Sequence, residues 1–386
     1  MQIHELTALA RQMKASDIHI SEGLPLMFRI DGRLVTAPVQ LSVDETRSLI
    51  MGLMDEAYRE AITAERIDAD FALVAPDGTR SRVNVFFQQG KAAATLRLLN
   101  DTIPTLAELS MPAVLTKLAD EPRGLILVTG PTGSGKSTTL AAMIDHINET
   151  RSDHIITIED PIEFQFKNKR SIVNQREVGS DTQSLQTALK NALRQAPDVI
   201  LIGEIRDRET MSAAIAYSQS GHLVLTTLHG NNSYHALNRI LSFYPVEVRA
   251  TMLGDLASSL KAIITQRLLR TTTGSRVPAT EVLLNTKLVS ELIEKGDFSG
   301  VRDNMENSMA EGSQTFEEDI ARLITNGTIE RSEGLANADS PTNLMWRLQN
   351  APQGNVQPLR TEVRAPADET SAVPALPAFD SALLNT

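Results

Sequence analysis

Hydrophobic and polar residues alternate with a period of two in four stretches of the first hundred residues. The stretches are DIHISEG, LMFRIDGRLVTA, DFALVAPDGTRSRVNVFF and AAATLRLL. Such alternation is typical of half-buried β-strands. The dipeptides Asp31-Gly32 and Asp77-Gly78 lie between alternating runs, where they indicate hairpin turns. Residues 1–100 are therefore predicted to form an α+β domain around an antiparallel sheet.

Helical segments accompany these strands. The chain begins with a helical stripe of apolar residues, Ile3, Leu6, Leu9 and Met13. Charged residues lie between them, which is not the pattern of a secretory signal. A second helix is predicted to begin at Ser42–Glu45, a sequence typical of a capping box. Residues 101–122 contain three prolines and are predicted to link this domain to the next.

The pattern changes after residue 122 to short apolar runs separated by helical segments. The runs are LILVT, HIITIE, DVILIGEI and HLVLTTL. Nearly continuous apolar strands in such an alternation predict a parallel sheet covered on both faces, so residues 123–270 are predicted to form an α/β core. Apolar stripes in VRATMLGDLASSLKAIITQRLL and TFEEDIARLITNG predict helices, and residues 271–350 are expected to be a helical region. Residues 351–386 contain five prolines and seven alanines without a clear period, which predicts a disordered tail.

Composition excludes several classes of function. The chain of 386 residues has no cysteine, which excludes disulfides and thiolate zinc sites. Its net charge of −11 argues against a nucleic-acid translocase, because proteins that follow a phosphate backbone usually carry a basic surface. No apolar run approaches the ~18 residues of a membrane-spanning helix. The protein is therefore expected in the cytoplasm.

The candidate chemistry begins directly after the strand LILVT. The sequence that follows has Gly130, four further residues, and then Gly135, Lys136 and Ser137, which is a complete phosphate-binding P-loop. The predicted nucleotide contacts are Gly130, Pro131, Thr132, Gly133, Ser134, Gly135, Lys136, Ser137 and Thr138. Backbone N–H groups would surround the phosphates, Lys136 would reach the β- and γ-phosphates, and Ser137 would contact Mg²⁺. The predicted cofactors are ATP and Mg²⁺.

Acidic residues follow two further strands. Glu159 and Asp160 end one strand, and Glu163 comes after a proline turn. A carboxylate at the carboxyl edge of a parallel sheet can orient the attacking water, and Glu163 is the predicted catalytic base. Glu159 and Asp160 either share this role or cap a turn. Glu204 ends the next strand, where Gly203 stands at the position of a common metal-binding aspartate, so Glu204 is predicted to serve the Mg²⁺ water shell or the nucleophile alone.

Two histidines lie at opposite ends of the strand HLVLTTL. Seven residues of extended chain place His222 and His229 more than ~20 Å apart, so they cannot chelate one metal ion. His229, at the carboxyl end, is predicted to reach the γ-phosphate, and His222 is the weaker candidate for the same role. The other histidines, His4, His19, His146, His154 and His235, are expected to be structural.

Three arginines in the first domain, Arg80, Arg82 and Arg97, lie on predicted strands. Arginines that alternate along a strand face are usually exposed to solvent, and the strand pattern alone favours that interpretation. A domain next to an ATP site can instead lend arginines to the triphosphate. The residues alone leave both interpretations open.

Four sequence boxes together resemble one family. GPTGSGKSTT, ITIEDPIEF, LRQAPDVILIGEIRD and SGHLVLTTLH occur in this order and spacing in the hexameric secretion ATPases. With SDIHIS near the start and RVN and LRLL before the linker, residues 1–350 resemble the type IV pilus retraction ATPases, the PilT/PilU family of twitching motility. The carboxyl half is more similar to the PilU branch, because LNTKLVSELIEKG replaces the AIRNLI-type box that is tied to retraction in the PilT branch.

This resemblance implies a homohexameric ring in which an N-terminal PAS-like domain and a RecA-like P-loop domain close over Mg-ATP. It implies that Arg82 and Arg97 clamp the nucleotide, and that Glu204, His222 and His229 complete the site with Glu163. Hydrolysis would move the two domains about the linker, turn the platform protein at the inner face of the bacterial inner membrane, and disassemble pilin with a PilT-like partner ATPase.

Two alternatives remain at this point. The chain could be an accessory ring subunit that contributes force or specificity to a PilT-like motor and has little activity of its own. A nucleic-acid translocase on a RecA-like core is disfavoured by the acidic total and by the lack of interleaved basic and aromatic residues.

Overall fold

The alternating stretches of the first hundred residues form a six-stranded antiparallel sheet in the order β3-β2-β1-β6-β5-β4. Its strands are β1 Asp17–Ser21, β2 Met27–Ile30, β3 Arg33–Thr36, β4 Ala69–Val74, β5 Arg80–Gln88 and β6 Lys91–Leu98. Two helices, α1 Ile3–Gln12 and α2 Val43–Gly52, cover one face. Ser42 and Glu45 make the predicted capping box at the start of α2. The predicted antiparallel α+β domain is confirmed.

The structure is a computed structural model and describes residues 2–30, 32–54, 56, 59–60, 62, 68–74, 80–99, 102–307 and 310–350. Strand β2 pairs with β3 from Ile30 to Arg33, and Gly32 has a φ of +79° in the turn between them. This is the first predicted hairpin, although Asp31 itself lies outside the described residues. Asp77-Gly78 and the predicted tail 351–386 also lie outside them.

The second sheet has seven strands in the order β13-β12-β7-β11-β10-β8-β9. The strands are β7 Gly124–Thr129, β8 His154–Glu159, β9 Ile172–Glu177, β10 Val199–Ile202, β11 Leu223–Leu228, β12 Leu260–Arg270 and β13 Arg276–Leu284. All neighbours are parallel except β12 and β13. Every residue of β7, β10 and β11 is buried, as expected for strands with helices on both faces.

Helices cover this sheet on both faces and extend beyond it. They are α3 Val114–Ala119, α4 Lys136–Thr150, α5 Leu185–Ala192, α6 Arg208–Gln219, α7 Ser233–Ser242, α8 Arg249–Ser259, α9 Lys287–Glu294, α10 Phe298–Asn307, α11 Phe316–Thr325, α12 Arg331–Asn337 and α13 Pro341–Asn350. Short 3-10 turns lie at Leu193–Gln195 and Val246–Val248. One core packs α3 and α4 on one face of the sheet, and another packs α5 to α8 on the opposite face.

The prediction of a helix over residues 248–269 is wrong for the second half of this segment. Helix α8 ends at Ser259, and the chain continues directly as β12, which pairs with β7 on one side and β13 on the other. β13 lies inside residues 271–350, which were expected to be helical. The β-branched residues Ile263, Ile264 and Thr265 are fully buried between the neighbouring strands, so sheet pairing overrides a helical spacing.

The segment 101–122, which is predicted to link the two domains, packs against the second sheet. It contains α3, and Leu106, Met111 and Leu115 pack into the same core as β7 and α4. These apolar residues between the prolines therefore belong to the core that packs α3 and α4 against the second sheet. The remaining domain bounds stay predictions.

A third apolar cluster joins the last helices to the sheet. Phe316 and Ile320 of α11 and Leu344 of α13 pack against Leu269 of β12. Within the described ranges, no helix combines the length and apolar character needed to cross a membrane.

Candidate nucleotide-binding site

The P-loop connects β7 to α4, as predicted. Gly135 is the N-cap of α4 with a φ of +90°, a conformation that favours glycine. Gly130 has a φ of +146°, and a Cβ there would collide with the carbonyl oxygen of Gln266. The two glycines therefore let the backbone curl tightly at the N-terminus of a fifteen-residue helix, which is a favourable position for phosphate.

Lys136 closes on this loop in the present conformation. Its Nζ donates hydrogen bonds to the carbonyl oxygens of Gly130 and Pro131, each at 3.0 Å. Burial lowers the pKa of Lys136, and the nearby carboxylates of Glu204 and Glu163 oppose that shift. The ammonium therefore already faces both predicted catalytic acids across the loop.

Gln266, which was not predicted as a site residue, supports the P-loop. Gln266 of β12 donates from Nε2 to the carbonyl oxygen of Ser134 at 2.6 Å and accepts from Thr139 Oγ1 at 2.9 Å. The side chain is buried, so these bonds fix the loop and the first turn of α4 to the sheet. No motif marks Gln266, because this segment was predicted to be helical.

An open cavity of about 680 Å³ lies over the loop at the carboxyl edge of the parallel sheet. Among the predicted site residues, its lining includes Arg82, Thr132, Gly133, Lys136, Ser137, Glu163, Glu204 and His229. Strands β8, β10 and β11 end side by side here, since Ile202 is paired with Ile158 and with Thr226. The parallel register therefore brings together residues from four separate sequence boxes.

Glu204 is the centre of a charged cluster in this cavity. Its Oε1 lies 2.6 Å from His229 Nε2, and its Oε2 accepts a hydrogen bond from Arg206 Nε at 2.7 Å. Arg206 also lies 3.5 Å from Asp160. Each Glu204 oxygen therefore already has a side-chain partner, His229 for Oε1 and Arg206 for Oε2.

Arg206 was not predicted as a site residue. It comes two residues after Glu204, in the turn that leads to α6, whose N-cap is Asp207. The guanidinium is mostly exposed to the cavity, and its contacts to Glu204 and Asp160 place a permanent cation beside the predicted phosphate position. The sequence GEIRD contains the signal, since an arginine so close to a strand-end glutamate must remain at the same edge of the sheet.

Gly203 explains why no aspartate precedes Glu204. A Cβ at Gly203 would lie 3.3 Å from Glu159 Cα and 3.3 Å from the Ile158 carbonyl oxygen, tighter than most real contacts. The Gly203 N–H donates to that same carbonyl at 2.8 Å. Glycine therefore lets β10 approach the end of β8 closely, and Glu204 is the acid that this strand contributes to the cavity.

The acids that follow β8 fall into two environments. Glu159 accepts hydrogen bonds from Thr157 Oγ1 at 2.6 Å and Gln175 Nε2 at 3.3 Å, and burial raises its pKa to about 7. Asp160 is half exposed and faces Arg206. Both acids line the cavity together with Glu163. Glu159 is thus held by neighbouring side chains, and Glu163 remains the predicted catalytic base.

His222 is not at this site. It precedes β11, and its carbonyl oxygen accepts a hydrogen bond from the N–H of Gly124, the first residue of β7. Its Nδ1 lies 3.0 Å from the Tyr217 carbonyl oxygen and 3.1 Å from Ser220 Oγ. The nucleotide cavity lies at the carboxyl edge, so His222 does not line the cavity of its own chain, and its predicted role stays a prediction. The same strand length that excluded a shared metal ion separates the two histidines here.

The two predicted clamp arginines also separate. Arg82 lines the cavity and forms an ion pair with Asp70 at 2.8 Å. Arg97 is its direct cross-strand partner, but its side chain is turned to Asp17 at 3.1 Å, is 68% exposed and does not line the cavity. Of the two predicted clamp arginines, Arg82 lines the cavity of its own chain and Arg97 does not.

The chain is similar in sequence and in fold to several known proteins. The family model described as type II/IV secretion system protein matches residues 2–320. The type IV pilus ATPase PilU of Pseudomonas aeruginosa is 44% identical over 351 residues, which cover 90% of this chain and 92% of that protein. The retraction ATPase PilT of the same organism is 40% identical over 345 residues, covering 89% and 100%. A crystal structure of the pilus retraction motor PilT with bound ADP matches with a TM-score of 0.83 at 40% identity, covering 90% of this chain and 99% of that one.

The structural match confirms the fold class. The second sheet is the core of a RecA-like P-loop ATPase domain, preceded by an α+β PAS-like domain and followed by a mainly helical carboxyl region that also contributes β13. The predicted nucleotide cavity lies in this fold, and the similar PilT structure contains bound ADP.

Proposed function

The chain belongs to the type II/IV secretion system protein family, and we propose that it is an ATPase that drives type IV pilus retraction. The supporting observation is the convergence of Lys136, Glu163, Glu204 and His229 on one cavity over the P-loop. The similarity to PilU and PilT over about nine tenths of the chain supports the direction of the work, pilin disassembly in twitching motility.

Binding of ATP would begin at the P-loop. The exposed backbone N–H groups at the start of α4 and the Lys136 ammonium favour the phosphates. For this, Lys136 must exchange its two loop carbonyls for phosphate oxygens, an exchange of partners that needs no change in the fold. The Ser137 hydroxyl and the Glu204 carboxylate line the same cavity and are oxygen donors of the type that Mg²⁺ prefers. When bound, Mg²⁺ would neutralise charge that develops on the phosphates.

Hydrolysis would divide the work among the strand-end residues. Glu163 would orient the attacking water and accept its proton. Glu204 would hold the metal's water shell. When Glu204 breaks its hydrogen bond with Arg206, the Arg206 guanidinium would become available to the phosphates. His229 lies within hydrogen-bonding distance of Glu204, so it would report the state of the γ-phosphate to the loop that follows β11.

The proposed assembly is a homohexameric ring at the inner face of the bacterial inner membrane. Its proposed partners are a PilT-like ATPase and the inner-membrane platform protein of the pilus, with no nucleic acid. In a ring, Arg97 and His222 would be available to a neighbouring subunit, since neither meets the nucleotide cavity of its own chain. Family similarity, together with the exposure of Arg97, supports this arrangement.

An accessory ring subunit is the second candidate. The carboxyl half favours it, because LNTKLVSELIEKG, which includes α9, replaces the box tied to independent retraction in the PilT branch. The cavity nevertheless contains a complete set of hydrolytic groups. We therefore propose that the chain hydrolyses ATP and works together with a PilT-like paralogue.

A steady-state ATPase assay of the purified protein, with and without that paralogue, tests this proposal. We expect Mg²⁺-dependent hydrolysis by the chain alone and a further increase when a catalytically inactive paralogue is added. A Glu163→Gln variant of this chain is the matched control, because it should bind ATP but hydrolyse it only at a low residual rate. If the protein hydrolyses ATP in neither condition, the proposed ATPase activity is contradicted. If the paralogue leaves the rate unchanged, the proposed joint action is contradicted.

A further inference from the structure

Strand β5 points two arginines toward the nucleotide side of the molecule. Arg80 and Arg82 are two residues apart, so they lie on the same face of the first sheet. Arg82 lines the nucleotide cavity. Arg80 instead crosses to the second sheet, where its Nη2 donates to Glu177 Oε2 at 3.0 Å. This contact joins the two sheets beside the cavity.

The ion pair is shielded from solvent. The side chains of Arg80 and Glu177 are 16% and 8% exposed. Among the described residues Arg80 Nε is buried without a hydrogen-bond partner, so the carboxylate of Glu177 is the main compensation for the desolvated guanidinium. Breaking a buried pair from one side leaves an uncompensated charge, which makes this contact far more sensitive than a surface ion pair.

Glu177 also holds the loop that contains the predicted catalytic base. Oε2 accepts a second hydrogen bond, from the backbone N–H of Ile162 at 3.0 Å, and Oε1 accepts one from Ser180 Oγ at 3.1 Å. Ile162 directly precedes Glu163. One carboxylate oxygen therefore contacts both the first domain and the segment that carries Glu163.

We propose that Arg80 and Glu177 are a positioning pair that makes the placement of Glu163 depend on the docking of the first domain. When β5 is docked, Arg82 enters the cavity and Arg80 orients the Glu177 carboxylate, which in turn fixes the Ile162 N–H and the backbone of Glu163. When the domain moves away, Glu177 loses its cation and the loop loses its alignment. Hydrolysis is thereby restricted to the arrangement in which the nucleotide is enclosed. This inference rests on the proposed ATPase function.

The test compares Arg80→Ala and Glu177→Gln with the wild type in two measurements, the turnover rate and the Kd for a fluorescent ATP analogue. Glu177→Gln removes the charge but keeps an oxygen for the Ile162 N–H. A misplacement of a catalytic group by about 1 Å can cost about 10²-fold in rate, so we expect kcat to fall between about tenfold and 10²-fold in both variants. The Kd should stay within about threefold, since neither residue lines the phosphate cradle.

Two further variants separate positioning from general structural support. In a Glu163→Gln background, Arg80→Ala should lower the residual rate by less than about twofold, because effects transmitted through one group are not additive. Arg80→Lys keeps the cation and should recover part of the lost rate. Lys117→Ala is the matched control, since the Lys117–Glu311 ion pair also joins distant segments but is exposed, and its loss should leave the rate unchanged.

Rates within about twofold of wild type for both single variants would overturn the inference, as would additive losses in the Glu163→Gln background. If Arg80→Ala does not fold, Glu177→Gln decides by the same criteria. Failure of the ATPase function itself would look different, because the wild-type protein would then not hydrolyse ATP.

Discussion

A Lys136→Ala variant is expected to lose nucleotide binding and hydrolysis together, whereas Glu204→Ala is expected to lose hydrolysis alone. Lys136 is the ammonium closest to the phosphate cradle, and no other lysine lines the cavity among the described residues. Glu204 forms an ion pair with Arg206, so its removal frees the Arg206 guanidinium beside the phosphates. The affinity of Glu204→Ala for ATP should therefore be equal to or higher than that of the wild type.

Titration with a fluorescent ATP analogue and a steady-state ATPase assay separate the two roles. Loss of one preorganised electrostatic group typically costs about 10²–10³ in rate, so hydrolysis should fall by at least that factor in both variants. Equal losses of affinity in the two variants would show that the division between phosphate binding and metal or water positioning is wrong.

An Arg82→Ala variant is expected to lose turnover by a far larger factor than Arg97→Ala. The two arginines face each other across β5 and β6, so they share strand context and residue type, but only Arg82 lines the cavity. An arginine placed on the transferring phosphoryl group can contribute about 10³–10⁵ in rate. Arg82 must first exchange Asp70 for phosphate, so we expect a loss at or below the lower end of that range.

Arg97→Ala is the matched control for this comparison. Measured at protein concentrations low enough to keep the chain out of a ring, it should retain the turnover rate of the wild type. Thermal unfolding of both variants should be similar to that of the wild type, because both side chains are partly exposed. A turnover rate of Arg82→Ala within about twofold of wild type would contradict the clamp and favour a solvent-facing arginine.

The strand-end acids and the P-loop could be predicted from the sequence because each belongs to a local pattern. An apolar strand followed by a polar residue places that residue at the carboxyl edge of a parallel sheet, whichever strands are neighbours. Glu163, Glu204 and His229 follow this rule, and all three line the cavity. The rule depends only on the direction of the strands, and all strands of a parallel sheet run in the same direction.

His222 and Arg97 show where such reasoning fails. Both were open candidates on the residues alone, and the family resemblance strengthened their assignment without stating which chain each residue acts on. The strand geometry of His222 already placed it at the opposite edge from His229. Arg97 could not be judged from sequence, because Asp17, which binds it, lies on a strand 80 residues away along the chain.

The residues that the sequence did not reveal act through tertiary pairing. Gln266 supports the P-loop from a strand with a helical spacing of apolar residues, and only its position between β7 and β13 makes it a strand. Glu177 is the last residue of β9, but its function as the partner of Arg80 depends on how two sheets meet. Contacts of this kind leave no period in the sequence.

If ATP hydrolysis by this chain drives pilus retraction, the retraction force of single pili must depend on it, and a deletion strain tests this dependence directly. The strain lacks the gene for this chain, keeps the PilT-like paralogue, and is complemented with the wild type or with Lys136→Ala. We predict normal pilus assembly, a weakened retraction force without this chain, full recovery with the wild type and only partial recovery with Lys136→Ala. Unchanged force in the deletion strain, or loss of pilus assembly, would contradict the account.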